Sequence, residues 1–158
     1  MDWEEVCTHP SLQDLPFKIE TNERGEIVMA PTKVYHAAYQ GKISVLLGSL
    51  RTDGSVLTAC EIHTARGTKV ADVAWASTER FQQIKDESEC SIAPEVCVEI
   101  LSVSNTDDEM QGKRQLYVDS GAQEVWTCRA DGEIHFYTAA GRIAQSVLFP
   151  KFPQRVII

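Results

Sequence analysis

The sequence predicts an α/β (α+β) fold, a mixed central β-sheet flanked by helices, and three observations carry that expectation. Short runs with period-two alternation recur along the chain, bounded by Gly, Pro, Asn and Asp. Two longer runs carry apolar residues at helical spacing, and each lies between strand-like runs. The chain has 158 residues, 43% of them hydrophobic, enough to bury one core and most simply one domain, 1–158.

Residues 1–16 contain His9-Pro10 and Leu15-Pro16 and are expected to be irregular or weakly helical. Then PFKIETNERGEIVMAP reads as a hairpin, with strands at Phe17 to Thr21 and Glu26 to Ala30 around a turn at Asn22 to Gly25. A helix follows over roughly Val34 to Arg51, where Tyr39, Ile43, Leu46, Leu47 and Leu50 form one apolar stripe. Thr52-Asp53-Gly54 ends it. Strands at Val56 to His63 and Lys69 to Ala76 are joined by a turn at Ala65-Arg66-Gly67, and a short helix is expected at Thr78 to Lys85. A strand at Glu95 to Leu101 leads to a helix from about Asp107 to Ser120, with Thr106 and Glu109 as a capping box and Gly121 as C-terminal cap. Strands at Glu124 to Arg129 and Glu133 to Thr138 flank Asp131-Gly132. A further strand is expected at Ile143 to Leu148, and a short tail strand at Arg155 to Ile158.

The formal net charge of −8 opposes tight, non-specific nucleic-acid binding, which needs a basic surface to displace counterions. Local patches or bound divalent cations could reverse that sign at a site. Cys7, Cys60, Cys90, Cys97 and Cys128 include no CxxC pair and are odd in number, which fits reduced thiols better than zinc ligands or a disulfide framework. No apolar stretch is long enough to span a membrane, and the acidic start MDWEEVCTHP is unlike a signal peptide, so a cytoplasmic location is expected.

Three residues break the apolar pattern. In EVCVEILS, alternation puts Val96, Val98 and Ile100 on one face and Cys97, Glu99 and Leu101 on the other. A buried ionised carboxylate without a partner costs several kcal/mol, so Glu99 either reaches solvent at the strand end, forms an ion pair or serves a site. Asp72 sits in KVADVAWAS, a β-branched and aromatic run in which aspartate is disfavoured; it is either an edge residue facing water or a functional one. Lys113 falls on the Met110 and Tyr117 face of the helix expected from about Asp107 to Ser120, yet it also stands four residues after Glu109, as in an ordinary surface pair. Taken together, two strand carboxylates and a strand carbonyl are hard oxygen ligands suited to Mg2+ or Mn2+. A nearby lysine could orient an attacking water and neutralise transition-state charge, the chemistry of metal-assisted phosphodiester hydrolysis.

Asp72-Val73-Ala74, PEVCVEILS at 94–102, Lys113, Tyr117, Gly121, Glu124 and Trp126 resemble, in order and spacing, the Uma-type restriction endonuclease family of the PD-(D/E)xK nuclease superfamily. GEIVMAP, His36 and the leucine-rich helix extend the likeness upstream, so that it covers roughly 17–138. The resemblance implies a restriction-endonuclease-like fold, Asp72 and Glu99 as metal-binding carboxylates, and Ile100 as a ligand through its backbone carbonyl. The superfamily lysine normally stands two residues after the second acid; Leu101 occupies that position here, and the role would pass to Lys113. Glu26, His36 and Gln40 are accessory candidates, with hairpin-surface and helix-start roles as the alternatives. Ala71 replaces the motif proline, a change of backbone shape that removes no reactive group.

The resemblance therefore implies a Mg2+- or Mn2+-dependent DNA endonuclease, with a homodimer as a natural way to address both strands. An alternative is a catalytically inactive nuclease fold acting as a protein-interaction module, which the acidic charge would suit. A metal-free glycosidase using the carboxylate pair is the third reading.

Overall fold

A computed structural model describes residues 1–158 in full. It has the mixed architecture expected. In the N-terminal segment, expected to be irregular or weakly helical, α1 (Trp3–Thr8) is a short helix. Asp2 accepts a hydrogen bond from the Glu5 N–H at 2.9 Å, and the Glu5 carboxylate accepts one from the Asp2 N–H at 2.9 Å. That reciprocal cap satisfies two of the donors a short helix leaves open. Trp3 and Val6 then pack on Val70, with Ile19 and Ile27 alongside.

β1 (Phe17–Thr21) and β2 (Ile27–Pro31) pair antiparallel as a separate two-stranded sheet. α2 (Val34–Leu50) follows. β3 (Ser55–Thr64), β4 (Gly67–Ala76), β5 (Val96–Ile100), β6 (Glu124–Cys128), β7 (Ile134–Thr138) and β8 (Gly141–Ile143) form a six-stranded sheet in chain order. α3 (Thr78–Ile84) follows β4, and α4 (Asp107–Asp119) is the crossover between β5 and β6. Only β5 and β6 are parallel; every other neighbouring pair is antiparallel. A parallel pair cannot be joined by a tight turn, so α4 must cross the sheet and thereby faces the end of β5.

The sheet buries both faces. Tyr39, Ile43 and Leu47 of α2 belong to one core with Val73, Trp75, Val98 and Trp126. Ile84 of α3 and Tyr117 of α4 share another with Ala74, Cys97 and Val125. No helix is long and apolar enough to cross a membrane.

The C-terminal stretch departs from the expected strands. Only Gly141–Ile143 pairs with β7, and Arg155 makes an isolated bridge to Glu133. The buried Glu124 carboxylate accepts from the Val147 and Leu148 N–H groups at 3.1 and 3.0 Å, taking donors that a strand ladder would use. Phe149 and Phe152 pack against Trp126 and hold the segment on the core instead. All five cysteines are free, with the Cys60 and Cys90 sulfurs 3.5 Å apart.

Two irregularities prepare the site. The β4–β5 ladder ends at Val73–Val98, one step short of Asp72 and Glu99. The β3–β4 ladder skips Ala59 and Asp72, and Ala59 has a left-handed φ of 51°. Strand alternation breaks with it, since Ala71 joins the same core as Ala74. Asp72 thus sits at a gap in both ladders.

Candidate active site

Asp72 and Glu99 lie on neighbouring strands, and only 3% and 4% of their surfaces are exposed, which removes the solvent-facing reading of each. They converge on one point. Lys18 Nζ, from β1, lies 3.1 Å from Asp72 Oδ1 and 3.0 Å from Glu99 Oε2. The other oxygens are fixed by different elements. Asp72 Oδ2 accepts the Ile100 N–H at 2.7 Å, the donor freed where the ladder ends. Glu99 Oε1 accepts the Tyr117 hydroxyl at 2.6 Å and lies 3.2 Å from Lys113 Nζ.

α4 delivers Lys113 and Tyr117 together because positions four apart share a helix face. The Glu109–Lys113 surface pair is not formed; Lys113 Nζ instead reaches Glu20 Oε2 at 2.8 Å as well as Glu99. α2 contributes two further residues. His36 Nε2 lies 3.2 Å from Asp72 Oδ1, and Gln40 Nε2 donates to the Asp72 main-chain carbonyl at 2.9 Å. That carbonyl has no β3 partner because the ladder skips this residue, so Gln40 stands in for the missing strand donor.

Glu26 does not join the cluster. It sits at the exposed hairpin turn with Asn22 Nδ2 at 3.1 Å and Arg24 at 3.9 Å. Its place is taken by Glu20, which also accepts the Val70 N–H at 2.6 Å. Lys18 and Glu20 were not singled out from sequence, because alternating charges on a hairpin strand read as an ordinary solvated face. The one available signal was their i, i+2 spacing, which puts both opposite Ile19, the strand's core residue.

The electrostatics follow from burial and pairing. Burial opposes ionisation of Asp72, but the His36 hydrogen bond, Lys18 and the Ile100 N–H outweigh it and hold the carboxyl well below the usual range. Burial likewise opposes Glu20, and Lys113, Lys18 and the Val70 N–H win, lowering it. Glu99 goes the other way: its burial, with repulsion from Asp72 and Glu20, exceeds the attraction of Lys113 and Lys18 and raises it. Burial would discharge Lys18, yet Glu99, Asp72 and Glu20 hold its ammonium well above the ordinary lysine value. Burial and the neighbouring Glu99 and Glu20 push the Tyr117 phenol far up, so it remains a donor.

The cluster lies in a cleft of about 870 Å3. Lys18, Glu20, His36, Glu99, Ile100 and Lys113 all line it, with the cationic side chains of Lys33, Arg66 and Lys69 elsewhere on its wall. No group of three or more His, Cys, Asp or Glu side chains is arranged to hold a metal ion. Two buried carboxylates that already share one cation nevertheless suit a hard dication, if a main-chain carbonyl supplies a further oxygen.

Comparison with known proteins gives the family. A crystal structure from Anabaena variabilis ATCC 29413, described as "a putative nuclease belonging to DUF820", superposes with a TM-score of 0.67 at 17% sequence identity, over 97% of this chain and 82% of that one. At that identity the likeness establishes the fold. No curated protein matches the chain. The model of the Uma2 family, described as "Putative restriction endonuclease", matches residues 3–158. By that match, which spans nearly its whole length, the chain belongs to the Uma2 restriction endonuclease family.

Proposed function

We propose that this protein is a Mg2+- or Mn2+-dependent DNA endonuclease that hydrolyses phosphodiester bonds at Asp72, Glu99 and Lys113. Membership of a restriction endonuclease family supports nuclease function in general terms. The observation that carries the finer reading is the convergence of Asp72 Oδ1 and Glu99 Oε2 on a single cation position at the wall of an open cleft. These two carboxylates, with the Ile100 carbonyl, would hold the metal. When bound, a divalent cation supplies Lewis acidity at the phosphate and neutralises charge developing on it.

The chain's own groups do the rest. Ile100 N–H and His36 fix the Asp72 carboxylate, and Tyr117 fixes Glu99, so neither acid has to reorganise during reaction. Lys113, held by Glu20 and Glu99, presents a positive charge toward the cleft, where it can orient the attacking water and stabilise the phosphorane-like transition state. Gln40 acts on Asp72's backbone and is a positioning residue.

The test is cleavage of plasmid and single-stranded DNA with Mg2+ or Mn2+ and with chelator. Glu99→Gln and Lys113→Met should each lower turnover by at least about a hundredfold, the scale of losing one electrostatic stabiliser. Cleavage that survives chelation, or is unchanged in Lys113→Met, would remove this reading. A second reading, a nuclease fold kept as a protein-interaction module, is favoured by one observation: the cation position is filled by the chain's own Lys18. Folded protein that binds no divalent cation would support it. A dimer of such sites would address both strands of a duplex, and sedimentation with and without DNA tests that arrangement.

A further inference from the structure

We infer that Lys18 and a divalent cation compete for one position between Asp72 and Glu99, so that Lys18 sets the affinity of the site for metal. The inference rests on the metal-dependent reading above and concerns a residue to which that reading gives no role.

Its ammonium lies 3.1 Å from Asp72 Oδ1 and 3.0 Å from Glu99 Oε2, while Glu20 Oε2 is at 4.0 Å. These are the two oxygens not taken by the Ile100 N–H or the Tyr117 hydroxyl. Asp72 Oδ1 is shared between Lys18 and His36 Nε2 at 3.2 Å, and Glu99 Oε2 is held by Lys18, so a metal would take the lysine's place. A dication bound to both would bring its positive charge and its ligand sphere onto the ammonium. Carboxylate–metal bonds of roughly 2.1 Å leave no room for a lysine nitrogen between the same oxygens. Occupancy is therefore exclusive.

The charge count favours exchange over expulsion of either cation for good. Glu20, Asp72 and Glu99 carry three negative charges against Lys18 and Lys113. With Lys18 in place the acids are nearly neutralised and the fold tolerates their burial. With a dication in place, Lys18 must leave, and the acids are balanced by the metal and Lys113. The lysine stem is flexible, and Lys18 already lines the cleft, so its head group can turn toward the open side without moving β1. There it would meet the phosphate backbone of a bound strand. Lys18 is thus an internal counterion that protects the empty site and is released when metal arrives.

Two measurements test this. Calorimetric titration with Mn2+ and Mg2+ compares wild type with Lys18→Met, Lys18→Gln and Lys33→Met. Lys33 is an exposed cleft lysine at the N-terminus of α2 that pairs with no carboxylate. Metal affinity should rise at least about tenfold in the Lys18 variants and change less than about threefold in Lys33→Met. Equal gains in Lys18→Met and Lys33→Met would mean general charge repulsion and overturn the inference, as would unchanged or weaker binding in the Lys18 variants. Should those variants fail to fold, wild-type protein decides: its lysine ammonium resonances are followed by NMR during Mg2+ titration. The protected Lys18 signal should vanish with the calorimetric midpoint while that of Lys113 persists. A Lys18 signal unchanged at metal saturation overturns the proposal. Metal binding by wild type with no effect at Lys18 defeats this inference alone. No binding by wild type or by the Lys18 variants defeats both it and the metal-dependent reading.

Discussion

At the scale of single residues, the site is a set of buried charges whose stability depends on each keeping its partners. Removing Lys18 leaves Asp72 and Glu99 facing each other without their shared cation. Lys18→Met should therefore destabilise the metal-free protein by about 3 kcal/mol, the usual scale for breaking a buried ion pair from one side. Saturating Mg2+ should restore more stability to the variant than it adds to wild type, because ligand binding to the folded state stabilises it by mass action. Urea denaturation with and without Mg2+ measures both effects. The acids also give the protein a pH signature. Asp72 and Glu20 have lowered pKa values, so their stabilising contribution is complete above the unfolded carboxylate range near pH 4 and is lost progressively as pH falls from there through their lowered folded values. Glu99 is raised, so its contribution has the opposite sign: it is complete below its unfolded value and lost as pH rises through the raised one. Denaturation midpoints between pH 3 and 7 should thus fall on the acid side, and Asp72→Asn should flatten that limb while lowering stability at neutral pH. An acid limb as steep in Asp72→Asn as in wild type would remove Asp72 as its source.

At the scale of elements, the site depends on how the β1–β2 hairpin is docked. Lys18 reaches Asp72 and Glu99, and Glu20 reaches Lys113, only because the end of β1 lies against the start of β4. The Thr68 N–H donates to the Thr21 hydroxyl at 2.8 Å and the Val70 N–H to Glu20 at 2.6 Å. Gly67 makes that approach possible: its φ is +88°, and a Cβ there would stand 2.5 and 2.6 Å from the carbonyl oxygens of Asn22 and Thr21. Gly67→Ala should cost about 2 kcal/mol or more and, by shifting β1, should weaken the grip of Glu20 on Lys113. Thermal unfolding measures the first effect and metal-titration calorimetry the second. Much of the element order was legible from sequence, because α2, α4 and the strands carry their own periodicity and caps. Asp72, Glu99 and Lys113 were legible for the opposite reason: charges in apolar runs stand out. Lys18 and Glu20 were not, because a hairpin strand with one solvated face and one with charges turned inward have the same alternation. The difference lies in where β1 docks, which Gly67 and Thr21 decide through contacts about fifty residues apart in sequence. The C-terminal strands were over-read for a related reason: Glu124, a distant residue, captures the backbone donors there.

At the scale of the whole molecule, the formal charge of −8 stands against the proposal of a DNA substrate, and the cleft resolves the conflict locally. Lys18, Lys33, Arg66, Lys69 and Lys113 line it together with Glu20, Glu23, Glu99, Asp108 and Glu109. Five cations against these five anions, with Asp72 beside Lys18 as a sixth, leave the cleft close to neutral on a protein that is acidic elsewhere. In the metal-free protein Lys18 and Lys113 are engaged by Asp72 and Glu99, which leaves Lys33, Arg66 and Lys69 to meet a phosphate backbone. Neutralising about three phosphates gives a dependence of log K on log salt with a slope near −3 for duplex DNA. Binding to non-cognate DNA should therefore be weak and shallow in its salt response, with the acidic remainder of the surface rejecting non-specific contacts. Lys33→Ala and Arg66→Ala should each reduce the slope by about one without altering metal affinity, as measured by fluorescence anisotropy across a salt series. A slope near −8 or steeper would place the DNA on a surface other than this cleft.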